Sequence, residues 1–193
     1  MGILALKIIY GFFMVINYII RRPHEQKNKK NKIIDDQKSF QEKLLLFLVF
    51  VGMMILPLIY VFTGLFSFAD YQLSLPFHVL GIFIMSLSSW LFYKSHKDLG
   101  KNWSVSLEIR EEHSLISSGV YNKVRHPMYS AIWLWSIGQA LLLNNYIVGL
   151  SGLLSFGLMY FLRVGPEEKM MEGTFGEEYL VYKSKAGRLW PKF

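Results

Sequence analysis

Charged and polar residues that could do chemistry are concentrated in two stretches, residues 96–129 and 163–193, and each borders a long uncharged run. In the first stretch, Arg125-His126-Pro127 stands at the start of such a run. Proline suits the first turn of a helix, where its missing N–H is no loss, and the free N–H groups of that turn attract an anion or a cofactor. From these residues alone, the favoured interpretation of His126 is no more than a helix cap.

In the second stretch, Arg163 ends an uncharged run and the acidic pair Glu167-Glu168 follows it. An arginine at this place could bind an anionic ligand, or could be no more than a charge at the end of a membrane span. The two glutamates could bind a cationic ligand. Because they come directly after Pro166, they could also only complement the dipole of a helix that begins there.

Other kinds of chemistry are excluded by composition. The chain has no cysteine, so disulfides, thiolate nucleophiles and cysteine-based zinc sites are ruled out. Its five histidines form no HExxH pair, and we expect no bound metal. The net charge of +7 lies in a chain with uncharged spans, where Lys and Arg clusters report orientation and attraction to lipid headgroups, so we expect no nucleic-acid partner.

The elements that position these residues are predicted to be membrane-spanning helices. Hydrophobic residues make up 52% of the chain, and several runs carry no charge, which a soluble helix does not allow because one face must meet water. A bilayer core roughly 30 Å thick needs about 20 apolar residues as helix. We therefore predict an all-α integral membrane protein of one domain, residues 1–193, with five transmembrane helices. Asn144-Asn145 is predicted to turn the long last run into a tight hairpin. The predicted spans cover residues 2–20, 44–68, 75–93, 128–143 and 146–162.

The distribution of positive charge predicts the orientation of these spans. Five spans place residues 21–43, residues 94–128 and everything from residue 163 onward on one side, and these segments hold 20 of the 21 Lys and Arg residues. The positive-inside rule then predicts a cytoplasmic C-terminus. It also places the candidate cofactor and catalytic region, residues 94–193, at the cytoplasmic face, with an amphipathic helix at residues 176–182 packed over it.

Several sequence blocks resemble the isoprenylcysteine carboxyl methyltransferase family, in the form of its short prokaryotic members, and the related phospholipid methyltransferases. The main blocks are HSLISSGVY at residues 113–121 and RHPMY at residues 125–129. They are preceded by DLGKNWS at residues 98–104 and followed by Arg163 with Glu167-Glu168, then by FGEEY at residues 175–179. The order and spacing of these blocks carry the resemblance, whereas the first two spans match in hydrophobicity alone.

The resemblance implies a carboxyl O-methyltransferase that uses S-adenosyl-L-methionine, leaves S-adenosyl-L-homocysteine, and has no Rossmann domain. The acceptor would be the carboxylate of an isoprenylcysteine or a similar lipid-linked molecule in the bilayer, with no obligate protein partner evident. The catalytic residues would be Arg163, which binds the acceptor, and Glu167. The cofactor site implied by the resemblance consists of His113, Ser114, Leu115, Ile116, Tyr121, His126, Pro127, Met128, Tyr129 and Glu167.

Two other functions stay open. A phospholipid amine as acceptor must lose a proton before attack, so Glu167 or Glu168 would then have to act as the base. A non-enzymatic membrane component should carry charges within its spans, and Lys7 alone meets that description. The family pattern has one departure at Gly165-Pro166, because proline disfavours helical backbone at the preceding residue. We therefore expect that Arg163 and Glu167 could lie on two sides of a helix break.

Overall fold

The computed structural model of the chain describes residues 1–28, 33–36, 39–102, 108–110 and 114–192. Within these residues the fold is a helical bundle with one two-stranded antiparallel ribbon, in which Ile33 lies opposite Arg110 and Asp36 opposite Glu108. The elements in chain order are α1 (Ile3–Asn28), β1 (Ile33–Asp36), α2 (Phe40–Phe50), α3 (Leu56–Thr63), α4 (Leu75–Leu99), β2 (Glu108–Arg110), α5 (Pro127–Leu143), α6 (Tyr146–Phe175) and α7 (Glu177–Lys185).

A π-helical turn, Val51–Ile55, joins α2 to α3 just before Pro57. The carbonyl of Gly52 in this turn accepts hydrogen bonds from Gln139 Nε2 of α5 at 3.0 Å and from Ser151 Oγ of α6 at 2.6 Å. Tyr10 of α1 donates to Gln139 Oε1 at 2.9 Å. Lipid offers no hydrogen-bond partners to backbone groups, so the bonds from Gln139 and Ser151 give the Gly52 carbonyl of the π-helical turn its partners within the protein. Together with the bond from Tyr10, they connect four segments of the bundle.

The predicted turn between the last two helices is confirmed. Asn144 adopts a left-handed conformation with φ of 46° and ends α5, and the Oδ1 atom of Asn145 accepts from the backbone N–H groups of Ile147 and Val148 as the N-cap of α6. The Nδ2 group of Asn145 donates to Asp70 Oδ1 at 2.6 Å. The loop after α3 therefore meets the α5–α6 turn at one end of the bundle.

The chain is a multi-pass integral membrane protein. Four of its described helical segments are long and apolar enough to cross a bilayer, namely Ile3–Gln26, Phe40–Thr63, Leu75–Leu99 and Tyr146–Phe175. Helix α5 has 17 residues and is not among them, and a helix of that length spans about 26 Å. A fifth crossing by α5 and the orientation of the bundle therefore stay predictions.

Several helices continue beyond the apolar runs that predicted them. An apolar run marks only the part of a helix that lies in the hydrocarbon core, whereas the helix ends where the backbone conformation changes. Helix α1 continues to Asn28, and α4 and α6 end before Gly100 (φ 56°) and Gly176 (φ 52°), whose backbones a residue with a Cβ rarely adopts.

The expected break at Gly165-Pro166 is wrong, since α6 runs through Pro166 without interruption. The steric clash that proline causes involves the Cβ of the preceding residue, and Gly165 has none. Glu167 and Glu168 therefore lie inside a long helix, and the interpretation that they sit in the first turn of a new helix is wrong as well.

Candidate active site

A cavity of about 240 Å³ lies at the end of the bundle opposite the Asn144 turn, where α5 begins. Helices α1, α2, α4, α5, α6 and α7 and the connection between α4 and α5 all contribute to its wall. The lining residues are Arg21, Leu46, Val49, Phe92, His96, Leu99, Asn102, Ser114, Leu115, Ile116, Tyr121, Arg125, His126, Met128, Tyr129, Ile132, Met159, Arg163, Glu167, Met170, Met171, Tyr179 and Tyr182. The wall is thus largely apolar and aromatic, with a few charged groups placed in it.

Arg163 is a buried cation in the wall of this cavity, with a residue exposure of 8%. Its Nε atom lies 3.7 Å from Glu167 Oε2, one helical turn further along α6, and its Nη2 atom lies 3.7 Å from Glu42 Oε1 of α2. The hydroxyl of Tyr129 donates to the same Glu167 carboxylate. The continuous helix thus brings Arg163 and Glu167 to one face and into the same charged group.

Glu168, next in sequence, does not line the cavity and joins three segments of the chain. Its carboxylate accepts from Arg125 at 2.9 Å and from His126 Nε2 at 3.2 Å, both at the start of α5. It also accepts from Arg188 Nη2 of the C-terminal segment at 2.8 Å, and this bond raises the pKa of the Arg188 guanidinium. Because Glu168 is 3% exposed, its charge depends on these partners. We therefore assign it a structural role.

The ring of His126 lies parallel to that of Tyr129, with centroids 5.3 Å apart and planes inclined by 7°. The side chain of His126 makes no capping hydrogen bond to α5, although the residue occupies the N-cap position. The interpretation of this side chain as a helix cap is therefore wrong. Its Nδ1 atom instead lies 3.8 Å from Glu167 and its Nε2 atom faces Glu168, so the imidazole links the cavity to the structural carboxylate.

The connection between α4 and α5 is held against the cavity by side-chain bonds to its backbone. Asn102 Oδ1 accepts from the N–H of Ser114 at 3.2 Å, which places Leu115 and Ile116 in the wall. A few residues on, Asp98 Oδ2 accepts from the N–H of Val120 at 2.9 Å. These bonds fix the backbone that leads to Tyr121.

Helix α7 covers the cavity with two tyrosines spaced one turn apart. Tyr182 donates to the carbonyl of Tyr121 at 2.6 Å, and burial raises the pKa of Tyr182 to about 12, so this phenol stays neutral at physiological pH. Tyr179 is 2% exposed, and its hydroxyl has no hydrogen-bond partner among the described residues. A buried polar group without a partner is costly, and Tyr179 lines a cavity in which a ligand could supply that partner.

The structure brings together most of the residues that the sequence resemblance assigned to the site. Pro127 does not line this cavity; it occupies the first turn of α5 and faces a separate hollow of about 470 Å³ between α4, α5 and the C-terminal segment. His113 lies outside the described residues. The assigned residues that line the cavity are Ser114, Leu115, Ile116, Tyr121, His126, Met128, Tyr129, Arg163 and Glu167.

Other site residues escaped the sequence analysis. Tyr179 and Tyr182 lie in the segment that was predicted to pack over the site, and their spacing of three residues could have identified them as its inward face. Glu42 stands three residues after Ser39, and this Ser-x-x-Glu pattern indicates a helix start. The pattern does not indicate a contact with Arg163.

Comparison with known proteins yields one family. Residues 79–173 match the model of the isoprenylcysteine carboxyl methyltransferase (ICMT) family. The protein-S-isoprenylcysteine O-methyltransferase of Homo sapiens is 40% identical over 84 residues, which cover 44% of this chain and 30% of that protein. The Schizosaccharomyces pombe enzyme of the same name is 30% identical over 122 residues, 62% of this chain and 49% of that protein. The chain thus spans at most about half the length of these two relatives.

A solved structure, the eukaryotic intramembrane Ras methyltransferase ICMT (isoprenylcysteine carboxyl methyltransferase), resembles the chain with a TM-score of 0.52 at 26% sequence identity. The alignment covers 82% of this chain and 54% of that protein. The likeness thus extends beyond the residues that match the family model.

Proposed function

Because the chain belongs to the isoprenylcysteine carboxyl methyltransferase family, we propose that it methylates the carboxylate of an isoprenylcysteine or a similar lipid-linked acceptor. The methyl donor is S-adenosylmethionine. The observation that carries the proposal is the buried Arg163, which lines an aromatic cavity at the end of a membrane bundle. A guanidinium presents a planar pair of donors that matches both oxygens of a carboxylate.

The residues around the cavity fit the donor. Tyr121 and Tyr129 offer aromatic faces that suit an adenine ring or a cationic sulfur, and Leu115 and Ile116 add apolar contacts. Glu167 suits the donor's ammonium group, and the buried Tyr179 hydroxyl needs a partner that a bound ligand supplies. When bound, S-adenosylmethionine supplies a methyl group on a positively charged sulfur.

The chemistry left to the protein is binding and alignment. A C-terminal carboxylate has a pKa of roughly 3.3–3.7, so it is ionised at neutral pH and needs no general base. Arg163 orients it by paired hydrogen bonds, and a displacement reaction depends strongly on such alignment. Leu46, Val49 and Met159 form an apolar wall beside this group, which suits the chain of a lipid-linked acceptor. Exclusion of water from this wall strengthens the interaction between the guanidinium and the carboxylate.

We place the cavity at the cytoplasmic face. The segments around it carry almost all of the lysines and arginines, whereas the loops at the Asn144 end carry none. The polar donor then reaches the cavity from water while the acceptor's chain remains in lipid.

A second acceptor is supported by one observation. Two carboxylates, those of Glu42 and Glu167, flank Arg163. A pair of carboxylates also suits a cationic lipid headgroup. For a phospholipid amine, a proton must leave before attack, and Glu167 is the only carboxylate among the described residues that line the cavity.

The proposal is tested with purified protein in lipid nanodiscs and S-adenosylmethionine carrying a labelled methyl group. Three acceptors are compared, namely a farnesylcysteine analogue, an aminophospholipid and a total lipid extract. Farnesylcysteine without its prenyl chain serves as the control for recognition of the lipid part. Saturable labelling of the farnesylcysteine analogue alone supports the proposal. Labelling of the aminophospholipid alone supports the second acceptor.

A further inference from the structure

We propose that Glu42 of α2 is a positioning residue that holds the Arg163 guanidinium in the orientation that binds the acceptor carboxylate. The inference rests on the proposed function. It gives a charged residue of α2 a role in the site, and α2 lies outside the residues that match the family model, which begin at residue 79.

The first argument is geometric. Arg163 Nη2 lies 3.7 Å from Glu42 Oε1, and Arg163 Nε lies 3.7 Å from Glu167 Oε2. The two carboxylates belong to different helices and meet different nitrogens of one guanidinium. Attraction from both carboxylates restrains the plane of the guanidinium more firmly than attraction from either one alone. Glu167 lies on the same helix as Arg163, one turn further along, whereas Glu42 approaches the guanidinium from α2.

The second argument is burial. The side chain of Glu42 is 5% exposed and that of Arg163 is 8% exposed. An acidic side chain is almost never this deeply buried unless it is paired, because an ion loses much of its hydration there. Burial of the Glu42 carboxylate beside Arg163 therefore costs hydration free energy, which an exposed position in α2 would not cost.

The third argument concerns how α2 delivers the carboxylate. Ser39 is the N-cap of α2, and its hydroxyl accepts from the N–H of Glu42 at 3.1 Å. In a capping box, the side chain of a glutamate at this position turns back toward the cap residue. Here the carboxylate reaches Arg163 of α6 instead, so the cap fixes the backbone of Glu42 while its side chain serves the cavity.

The role predicts a specific kinetic change. In Glu42→Gln the side chain keeps its size but loses its charge, and the guanidinium is drawn toward Glu167 and Tyr129. Misalignment of the nucleophile then lowers kcat/KM for the acceptor on the order of tenfold or more. The affinity for S-adenosylhomocysteine stays within about twofold, since Glu42 does not line the cavity. Glu42→Asp keeps the charge and recovers part of the lost efficiency.

The matched control is Glu172→Gln. Glu172 also pairs with a cation, Lys183, but it lies away from the cavity wall and is 34% exposed. This variant should keep wild-type kinetics. If Glu42 only blocked Arg163 as a competing carboxylate, Glu42→Gln would lower KM for the acceptor at unchanged kcat, and that result would overturn the inference.

A double-mutant cycle separates this inference from the proposed function. Wild-type activity on the farnesylcysteine analogue reports on the proposed function alone. Glu42→Gln, Arg163→Gln and the double variant are then compared by thermal unfolding in the same nanodiscs, a readout that needs no acceptor. A paired Glu42 predicts that Glu42→Gln lowers the unfolding temperature in the wild type and clearly less in the Arg163→Gln background. Additive shifts in the two backgrounds would overturn the inference whatever the acceptor proves to be.

Discussion

Replacing Glu168 by glutamine should lower the stability of the bundle more than the loss of any exposed ion pair in the chain. The carboxylate is 4% exposed as a side chain and faces Arg125, which is 7% exposed. It also receives His126 Nε2 and the partly exposed Arg188. Glutamine keeps the shape of the side chain and one accepting oxygen but removes the charge, so two arginines lose their shared counter-ion.

The magnitude follows from the burial of the pair. Breaking a buried ion pair by removing one partner costs about 3–5 kcal/mol. The lower end applies here, because Arg125 also donates to the carbonyls of Lys183 and Ala186 and so stays partly satisfied. Arg188 adds little, since its side chain is 46% exposed. A loss of about 3 kcal/mol corresponds to a fall of about 6–12 °C in the unfolding temperature of a chain of this size.

The assay is thermal unfolding of purified protein in one detergent, followed by tryptophan fluorescence. Glu172→Gln is the control, since its pair with Lys183 is about one third exposed on both sides, and loss of such a pair costs less than about 1 kcal/mol. Equal shifts for the two variants would refute the assignment of Glu168 as the carboxylate that joins α5, α6 and the C-terminal segment.

Three further predictions concern the site and the topology. Arg163→Lys keeps the charge but loses the planar guanidinium, so kcat/KM for the acceptor should fall at least on the order of tenfold while S-adenosylhomocysteine binds as before. Near-wild-type kinetics would mean that Arg163 serves only as a positive charge that sets the orientation of the protein in the membrane. His126→Ala and Tyr129→Ala should each weaken S-adenosylhomocysteine binding in calorimetric titration, because their stacked rings line the cavity; unchanged affinity in both would remove them from the donor site. A cysteine that replaces the exposed Phe68 should react with a membrane-impermeant reagent added outside intact cells, and a cysteine that replaces Lys185 should not. The reverse labelling pattern would contradict the predicted orientation.

The parts of the fold that the sequence predicts correctly depend on local patterns. Apolar runs identify the helices, and the side chains of Asn144 and Asn145 suit a left-handed turn and an N-cap, which is how the structure uses them. The order of the polar blocks also predicts which segments meet, since Ser114, Tyr121 and Arg163 line one cavity.

The parts that the sequence does not predict depend on contacts between distant segments. No local rule relates Glu42 to Arg163, because their proximity requires α2 to pack on α6. The rule that proline disfavours the preceding helical residue is steric, and a glycine at that position removes the part of the clash that involves Cβ, which is consistent with α6 continuing to Phe175. Glu167 and Glu168 are adjacent residues of the same type, so the sequence gives no reason to assign them different roles. Their positions on α6 do: Glu167 lines the cavity, whereas Glu168 pairs with Arg125.

The most direct test of carboxyl methylation is the chemical nature of the bond that holds the transferred methyl group. Mild alkali hydrolyses a methyl ester and releases its label as volatile methanol, whereas a methyl group on an amine resists the same treatment. The wild-type protein with labelled S-adenosylmethionine and the farnesylcysteine analogue should give an alkali-labile product, and Arg163→Lys should give little of it. Label that resists alkali and stays with an amine-containing lipid would contradict the account.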